Sequence, residues 1–149
     1  MCEHTVTVEW KRETADFAYE SYNRDHDWVF DAGITVHASA TPAYMGNERC
    51  VDPEEAFVAS LSSCHMLTFL AIACKKRCTV DSYWDQAVGI LGKDQTGRLA
   101  MAKVTLRPQV RFGGEKTPTP DELAQMHDQA HHTCFIANSV NTEVVVESL

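Results

Sequence analysis

Two cysteine-containing segments carry the residues with the clearest chemical potential. The first, PEEAFVASLSSCHM, places Cys64 in an almost uncharged stretch, and the second, HHTCFIANSV, places Cys134 beside two histidines. A thiolate is the nucleophile of sulfur chemistry, and a cysteine oxidised to sulfenic acid condenses with a second thiol to form a disulfide. Two such segments in one chain therefore indicate thiol redox chemistry.

A reactive Cys64 requires a cation close to its sulfur. Burial raises the pKa of a thiol unless a positive group or a hydrogen-bond donor stabilises the anion. No Lys or Arg lies between residues 54 and 74, so the cation must come from another part of the chain. Arg24, in the phrase SYNRDH, is the preferred candidate, and Arg49 is the second.

The same two segments resemble the OsmC/Ohr family of thiol peroxidases. In that family a Pro-Glu pair stands ten residues before the reactive cysteine, a spacing that Glu54 and Cys64 keep. The phrase AHHTCFIANSV resembles the family's second cysteine motif, and the resemblance extends over most of the chain, to the final TEVVVE. Within the family, the chain resembles the OsmC-like branch more than the hydroperoxide resistance enzymes. Those enzymes have a Gly-rich phrase around their catalytic arginine, and this chain has only SYNRDH at that place.

The resemblance implies a peroxidase that reduces organic hydroperoxides. Cys64 would be the peroxidatic residue and Cys134 the resolving residue, which together form a disulfide. Arg24 would stabilise the thiolate and the leaving alkoxide, and Glu54 would hold the guanidinium through a bidentate pair. A dithiol, such as a lipoylated protein, would restore the thiols, with no metal, flavin or other cofactor.

Two alternatives to a peroxidase stay open. A non-enzymatic OsmC-like protein could share the fold and bind a ligand or a partner. A zinc-binding protein is the other alternative, although the chain has no C-x-x-C pair. Its candidate ligands are His127, His131, His132 and Cys134, with Cys64 or His65.

Composition narrows the class of protein further. The 149 residues, 44% of them hydrophobic, fit one domain over residues 1–149. With 13 basic and 21 acidic residues the net charge is −8, which disfavours nucleic acid and anionic membranes as partners. The amino terminus lacks the apolar core of a signal peptide, so a cytoplasmic location is expected. The serines and the histidine near Cys64 disfavour a membrane span.

The order of predicted elements is typical of an α+β fold. Asp52, Pro53 and Glu55 form the start signal of a long helix over residues 52–76, and Thr119, Pro120 and Glu122 repeat it for a second helix ending near His131. Alternating or β-rich segments predict strands at 4–10, 17–22, 34–38, 80–91, 99–112 and 142–147, with a loop at 41–50 and a hairpin joining 80–91 to 99–112. The resemblance implies antiparallel sheets wrapped around a long central helix.

The long helix also predicts an intertwined homodimer. It is apolar on most of its faces, and one small sheet covers only one of them. Glu54 and Cys64 are separated by about 15 Å along the helix axis, too far for one arginine to contact both. A second chain with its helix antiparallel would bring its own Glu54 to Cys64 and would cover the remaining faces.

Overall fold

The computed structural model describes residues 1–148, which fall into two compact units, Met1–Ala56 and a second that begins at Phe57. The first unit contains one antiparallel sheet in the order β1-β2-β3, followed by a short 3-10 helix at Pro42–Tyr44. The strands are β1 Val6–Glu9, β2 His26–Phe30 and β3 Thr35–Ala38. Trp28 in the central strand pairs with Val8 on one side and Val36 on the other.

The predicted strand at residues 17–22 is wrong. The backbone N–H groups of Ser21 and Tyr22 both donate to the Ala18 carbonyl, at 3.1 and 3.0 Å, so the chain turns here. Strand β2 was not predicted from the sequence. The strand contains Asp27 and follows Asp25, and aspartate is depleted in strands, so local propensity argued against it.

The long helix, α1, spans Pro53–Lys75 and begins at the predicted capping box. The Asp52 side chain accepts from the Glu55 N–H at 2.8 Å, and the Glu55 side chain accepts from the Asp52 N–H at 3.1 Å. The helix ends where Arg77 takes a left-handed conformation with φ 60° and the Cys78 N–H returns to the Ala73 carbonyl at 3.0 Å. This is the bonding of a Schellman stop.

The second unit holds the other five strands and the second helix, α2, which spans Pro120–Thr133. Both reciprocal hydrogen bonds of its capping box, between Thr119 and Glu122, are formed, so its predicted start is confirmed. The strands are β4 Thr79–Asp85, β5 Val88–Lys93, β6 Leu99–Leu106, β7 Pro108–Gly113 and β8 Glu143–Val146. The hairpin is confirmed as the antiparallel pair β5 and β6, while β8 lies parallel to β6.

Each of the two long predicted strands is in fact two strands. The first breaks after Asp85 and the second at Arg107, and β4 pairs with β7 in a sheet of its own. A hydrogen bond from the Arg107 N–H to the Asp85 carboxylate, at 2.6 Å, links the two positions at which the predicted strands are interrupted. Pro108 then starts β7, a position where the missing N–H of proline is tolerated.

One stripe of α1 lies in the core of the chain. Its buried residues, Leu61, His65, Phe69, Ile72 and Ala73, recur at helical spacing. The lower part of the stripe packs with Met126 and Ala130 of α2, and the upper part with Val104 and Leu106 of β6. Leu67 on another face is 61% exposed. By length and composition α1 could cross a membrane, but its buried stripe packs within the protein. The prediction of an α+β fold around a long helix is confirmed.

Candidate functional site

The structure brings Cys64 and Cys134 together. Cys64 lies near the middle of α1, and Cys134 caps the carboxyl end of α2. The Cys64 thiol lies close enough to Cys134 to raise the pKa of Cys134, and both are free thiols. Two cysteines separated by 70 positions in the sequence thus lie close together, and their redox roles stay predictions.

The two thiols have different environments. Cys134 is 1% exposed, and its sulfur accepts a hydrogen bond from the Ala137 N–H at 3.4 Å. Burial raises the pKa of Cys134, the neighbouring Cys64 thiol raises it further, and the Ala137 N–H offsets part of the rise. Cys64 is half-buried. Cys134 therefore holds its proton and can donate it toward Cys64, which is the sulfur that a solute can reach.

Arg24 and Glu54 both belong to the first unit. The Arg24 guanidinium donates to the carbonyls of Tyr22 and Tyr19, at 2.6 and 2.5 Å, and lies 3.8 Å from the centre of the Tyr22 ring. Glu54 is the second residue of α1 and is half-buried. Among the ion pairs found within residues 1–148 of a single chain, none includes either residue. Arg49 is exposed. The roles of Arg24, Glu54 and Arg49 stay predictions.

His65 and His127, which the sequence suggested only as candidate zinc ligands, form a buried pair. His65 Nε2 and His127 Nδ1 are 3.0 Å apart, and the two residues are 1% and 3% exposed. Desolvation lowers the pKa of each to about 4; the neighbouring His127 and His131 add to the effect on His65, and Asp85 opposes it on His127. Both rings are therefore neutral at physiological pH. The sequence feature that could have revealed the pair is His65, a polar residue at helical spacing between the apolar Leu61 and Phe69.

The zinc alternative lacks a set of ligands. Within residues 1–148, no group of three or more His, Cys, Asp or Glu side chains is arranged to hold a metal ion. The Nδ1 atom of His127 is hydrogen-bonded to His65. The Nδ1 atom of the exposed His132 is hydrogen-bonded to the Asp128 carbonyl at 2.8 Å. The spacing of His127 and His131 on one helix face does suit zinc, but the remaining ligands do not converge on them.

An acidic side chain completes the polar surroundings of α1. The Asp85 carboxylate accepts a hydrogen bond from the Ser62 hydroxyl as well as from the Arg107 N–H. Asp85 thus ties α1 to the point where β4 ends and β7 begins. The site has the features of a thiol redox centre, with a dithiol between two helices and polar groups that hold those helices in place.

Comparison with known proteins shows the family of the chain. The family model described as OsmC-like protein matches residues 46–148, and the chain belongs to this family. An OsmC-like protein of unknown function from Vibrio cholerae is 53% identical, with a TM-score of 0.95 and complete coverage of both chains. No curated protein sequence matches the chain.

More distant structures share the fold. An organic hydroperoxide resistance protein from Elizabethkingia anophelis is 16% identical, with a TM-score of 0.73 over 99% of this chain and 94% of that one. The organic hydroperoxide resistance protein OhrB of Bacillus subtilis is 18% identical, with a TM-score of 0.71 over 99% and 98%.

Proposed function

We propose that the protein reduces organic hydroperoxides through its dithiol. The observation that carries the proposal is the proximity of the Cys64 and Cys134 thiols, one sulfur half-buried and the other enclosed. Two distant structural neighbours are organic hydroperoxide resistance proteins, which supports the same chemistry. We place the reaction in the cytoplasm, where thiols are kept reduced.

The proposed cycle has three steps. The Cys64 thiolate attacks the terminal oxygen of ROOH, the O–O bond breaks, and the alkoxide takes a proton and leaves as ROH. Cys134 then attacks the sulfur of the Cys64 sulfenic acid, the S–O bond breaks, water leaves, and a disulfide forms. An external dithiol, for which a lipoylated protein is the candidate, reduces the disulfide by exchange and is itself oxidised.

Arg24 and Glu54 have supporting roles in this proposal. A guanidinium stabilises both the thiolate and the developing alkoxide, because it keeps its positive charge at all relevant pH values. A carboxylate that pairs with the guanidinium fixes its orientation. In the single chain Arg24 is bound to backbone carbonyls and to the ring of Tyr22, so we propose that Glu54 of a second copy completes the site.

Thiol counting under anaerobic conditions tests the proposed function. One equivalent of cumene hydroperoxide should reduce the number of free thiols, initially six, by two. Peptide mapping should identify one disulfide, between Cys64 and Cys134, with Cys74 and Cys78 unmodified. An unchanged thiol count would reject peroxide reduction and favour the non-enzymatic alternative. A disulfide between other cysteines would reject the site.

Bulky organic hydroperoxides are expected to be better substrates than hydrogen peroxide. Leu67, three residues after Cys64, is 61% exposed, and Phe135, next to Cys134, is 80% exposed. Burial of roughly 60 Å² of an alkyl or aryl tail at about 25 cal/mol per Å² contributes about 1.5 kcal/mol, or about tenfold in kcat/KM. Steady-state kinetics with cumene hydroperoxide and hydrogen peroxide measure the ratio, and equal values would contradict the prediction.

Mixed dimers are expected to recover activity from two inactive variants. If Cys64 of one chain works with Glu54 of the other, a dimer of one Cys64→Ser chain and one Glu54→Gln chain has one site with both groups intact. The two variants are unfolded together, refolded, and assayed for peroxide turnover. Each variant refolded alone is the control. A monomer at micromolar concentration, or inactive heterodimers whose formation is demonstrated, would exclude the shared site.

A further inference from the structure

His65 and His127 form an in-plane hydrogen bond between the two helices. Their ring planes differ by only 7°, yet the ring centroids are 5.4 Å apart while Nε2 and Nδ1 are 3.0 Å apart. The centroid separation is thus close to the hydrogen-bond length plus the radius of each ring. The rings therefore meet edge to edge, with the N–H of one donating to the bare nitrogen of the other.

This bond differs in kind from the other contacts between the helices. Phe69 of α1 lies against the face of the His127 ring, with centroids 4.3 Å apart, and Ala73 packs with Met126 and Ala130. Apolar packing favours close approach but is non-directional. A hydrogen bond with both partners buried has a preferred length and angle. Among side-chain hydrogen bonds in residues 1–148, this bond is the one that links α1 to α2.

The spacing along both helices connects the histidine pair to the dithiol. His65 directly follows Cys64 on α1, and Cys134, the residue just after the end of α2, follows His127 by seven residues. Seven residues are about two helical turns, or about 10.5 Å, so His127 and Cys134 lie on nearly the same face of α2. Phe69 stacks on His127 while Cys64 lies close to Cys134, so the later residue on α1 meets the earlier of the two residues in the other segment. A one-turn slip of α2 would move Cys134 away from Cys64 by about 5.4 Å.

Stability alone does not account for two buried imidazoles. His65 Nδ1 and His127 Nε2 have no protein hydrogen-bond partner. Replacement of both members of a buried hydrogen bond by apolar groups of the same shape is nearly neutral or stabilising, whereas loss of one member is costly. A pair of apolar rings would therefore pack between the helices without the desolvation that these nitrogens incur. What apolar rings lack is the directional bond.

We propose that the hydrogen bond between His65 and His127 sets the position of α2 along α1 and so holds the Cys134 thiol against Cys64. Both histidines are positioning residues, acting through the helices that carry the two sulfurs. The bond raises the effective concentration of the Cys134 thiol at the Cys64 sulfur. This holds in every redox state in which the two sulfur atoms come together. The inference deepens the proposed peroxidase function, and rests on it for the resolution of the sulfenic acid.

The test measures the effective concentration of the dithiol by equilibration with reduced and oxidised glutathione, without peroxide. The double variant His65→Phe/His127→Phe keeps two planar rings and removes the hydrogen bond. We expect its effective concentration to fall on the order of tenfold or more, because correct orientation of two groups contributes strongly to intramolecular reactions. His132→Phe, an exposed position on the same helix, is the matched control and should equal the wild type.

A conservative double variant separates the hydrogen bond from the volume of the rings. In His65→Gln/His127→Asn, the Gln amide can occupy the place of Nε2 and the Asn amide the place of Nδ1. The proposal predicts that this variant recovers most of the effective concentration. An unchanged value in the Phe double variant would overturn the proposal. So would an equal loss in both double variants, because the effect would then follow ring shape.

A spectroscopic measurement on the wild-type protein does not depend on the folding of any variant. Nitrogen NMR of the histidine rings should show a coupling across one hydrogen bond, between His65 Nε2 and His127 Nδ1. Its absence in the folded protein would overturn the proposal. Failure of the peroxidase function is seen separately, as an unchanged thiol count after hydroperoxide, and leaves the glutathione equilibrium of the dithiol measurable.

Discussion

Cys64→Ser is expected to abolish hydroperoxide consumption. A serine hydroxyl is not ionised at neutral pH and is a poor nucleophile toward peroxide oxygen, so the first bond cannot form. We expect a loss of more than about 10³-fold in kcat/KM, equivalent to about 4 kcal/mol of transition-state stabilisation. Peroxide disappearance measured with excess dithiol reports the loss. Retention of wild-type turnover would show that the mechanism is wrong.

Cys134→Ser is the matched control, since it changes the neighbouring sulfur in the same way. Without a resolving thiol, Cys64 should still be oxidised once, and further peroxide should drive its sulfenic acid to sulfinic acid. Mass spectrometry should therefore find sulfinic acid on Cys64 in Cys134→Ser and a disulfide in the wild type. The same single-turnover yield in Cys64→Ser and Cys134→Ser would contradict the separate roles.

Acidification is expected to destabilise the folded protein steeply between about pH 6.5 and pH 4. The folded-state pKa of His65 and of His127 is lowered to about 4, chiefly by desolvation, whereas a histidine in the unfolded chain has its ordinary pKa near 6.5. In this window the unfolded state takes up protons that the folded state does not. Each histidine therefore removes up to about 1.4 kcal/mol of unfolding free energy per pH unit as the pH falls.

Urea unfolding at pH 7, 6 and 5 measures this loss. The groups that affect the pair include His131, which disfavours a charge on His65, and Asp85, which favours one on His127. The double variant His65→Phe/His127→Phe lacks both buried imidazoles, so its unfolding free energy should fall less steeply with acid. His132→Phe removes an exposed imidazole and should keep the wild-type slope. An identical slope in the double variant would show that other groups cause the acid sensitivity.

The helices were predictable because their signals are local. Asp52 and Glu55, like Thr119 and Glu122, satisfy the first N–H groups of a helix from three residues away, and both capping boxes are formed. Strands lack such a signal, because each is stabilised by partners far along the chain. The division of two long β-rich segments at Asp85 and Arg107 depends on a hydrogen bond between residues 22 positions apart.

For the site, the amino-acid sequence was enough to show which residues carry chemistry. Cys64 and Cys134 stand out by residue type and by neighbouring motifs, which do not require knowledge of the fold. The folded chain was needed to show that their thiols lie close together, and that Cys134 is the enclosed sulfur with the raised pKa. His65 and His127 are also visible in the sequence. Their hydrogen bond could not be predicted, because it joins residues 62 positions apart and depends on the packing of α1 against α2. Residue chemistry is a property of each position, whereas proximity and desolvation arise when distant segments exclude water together.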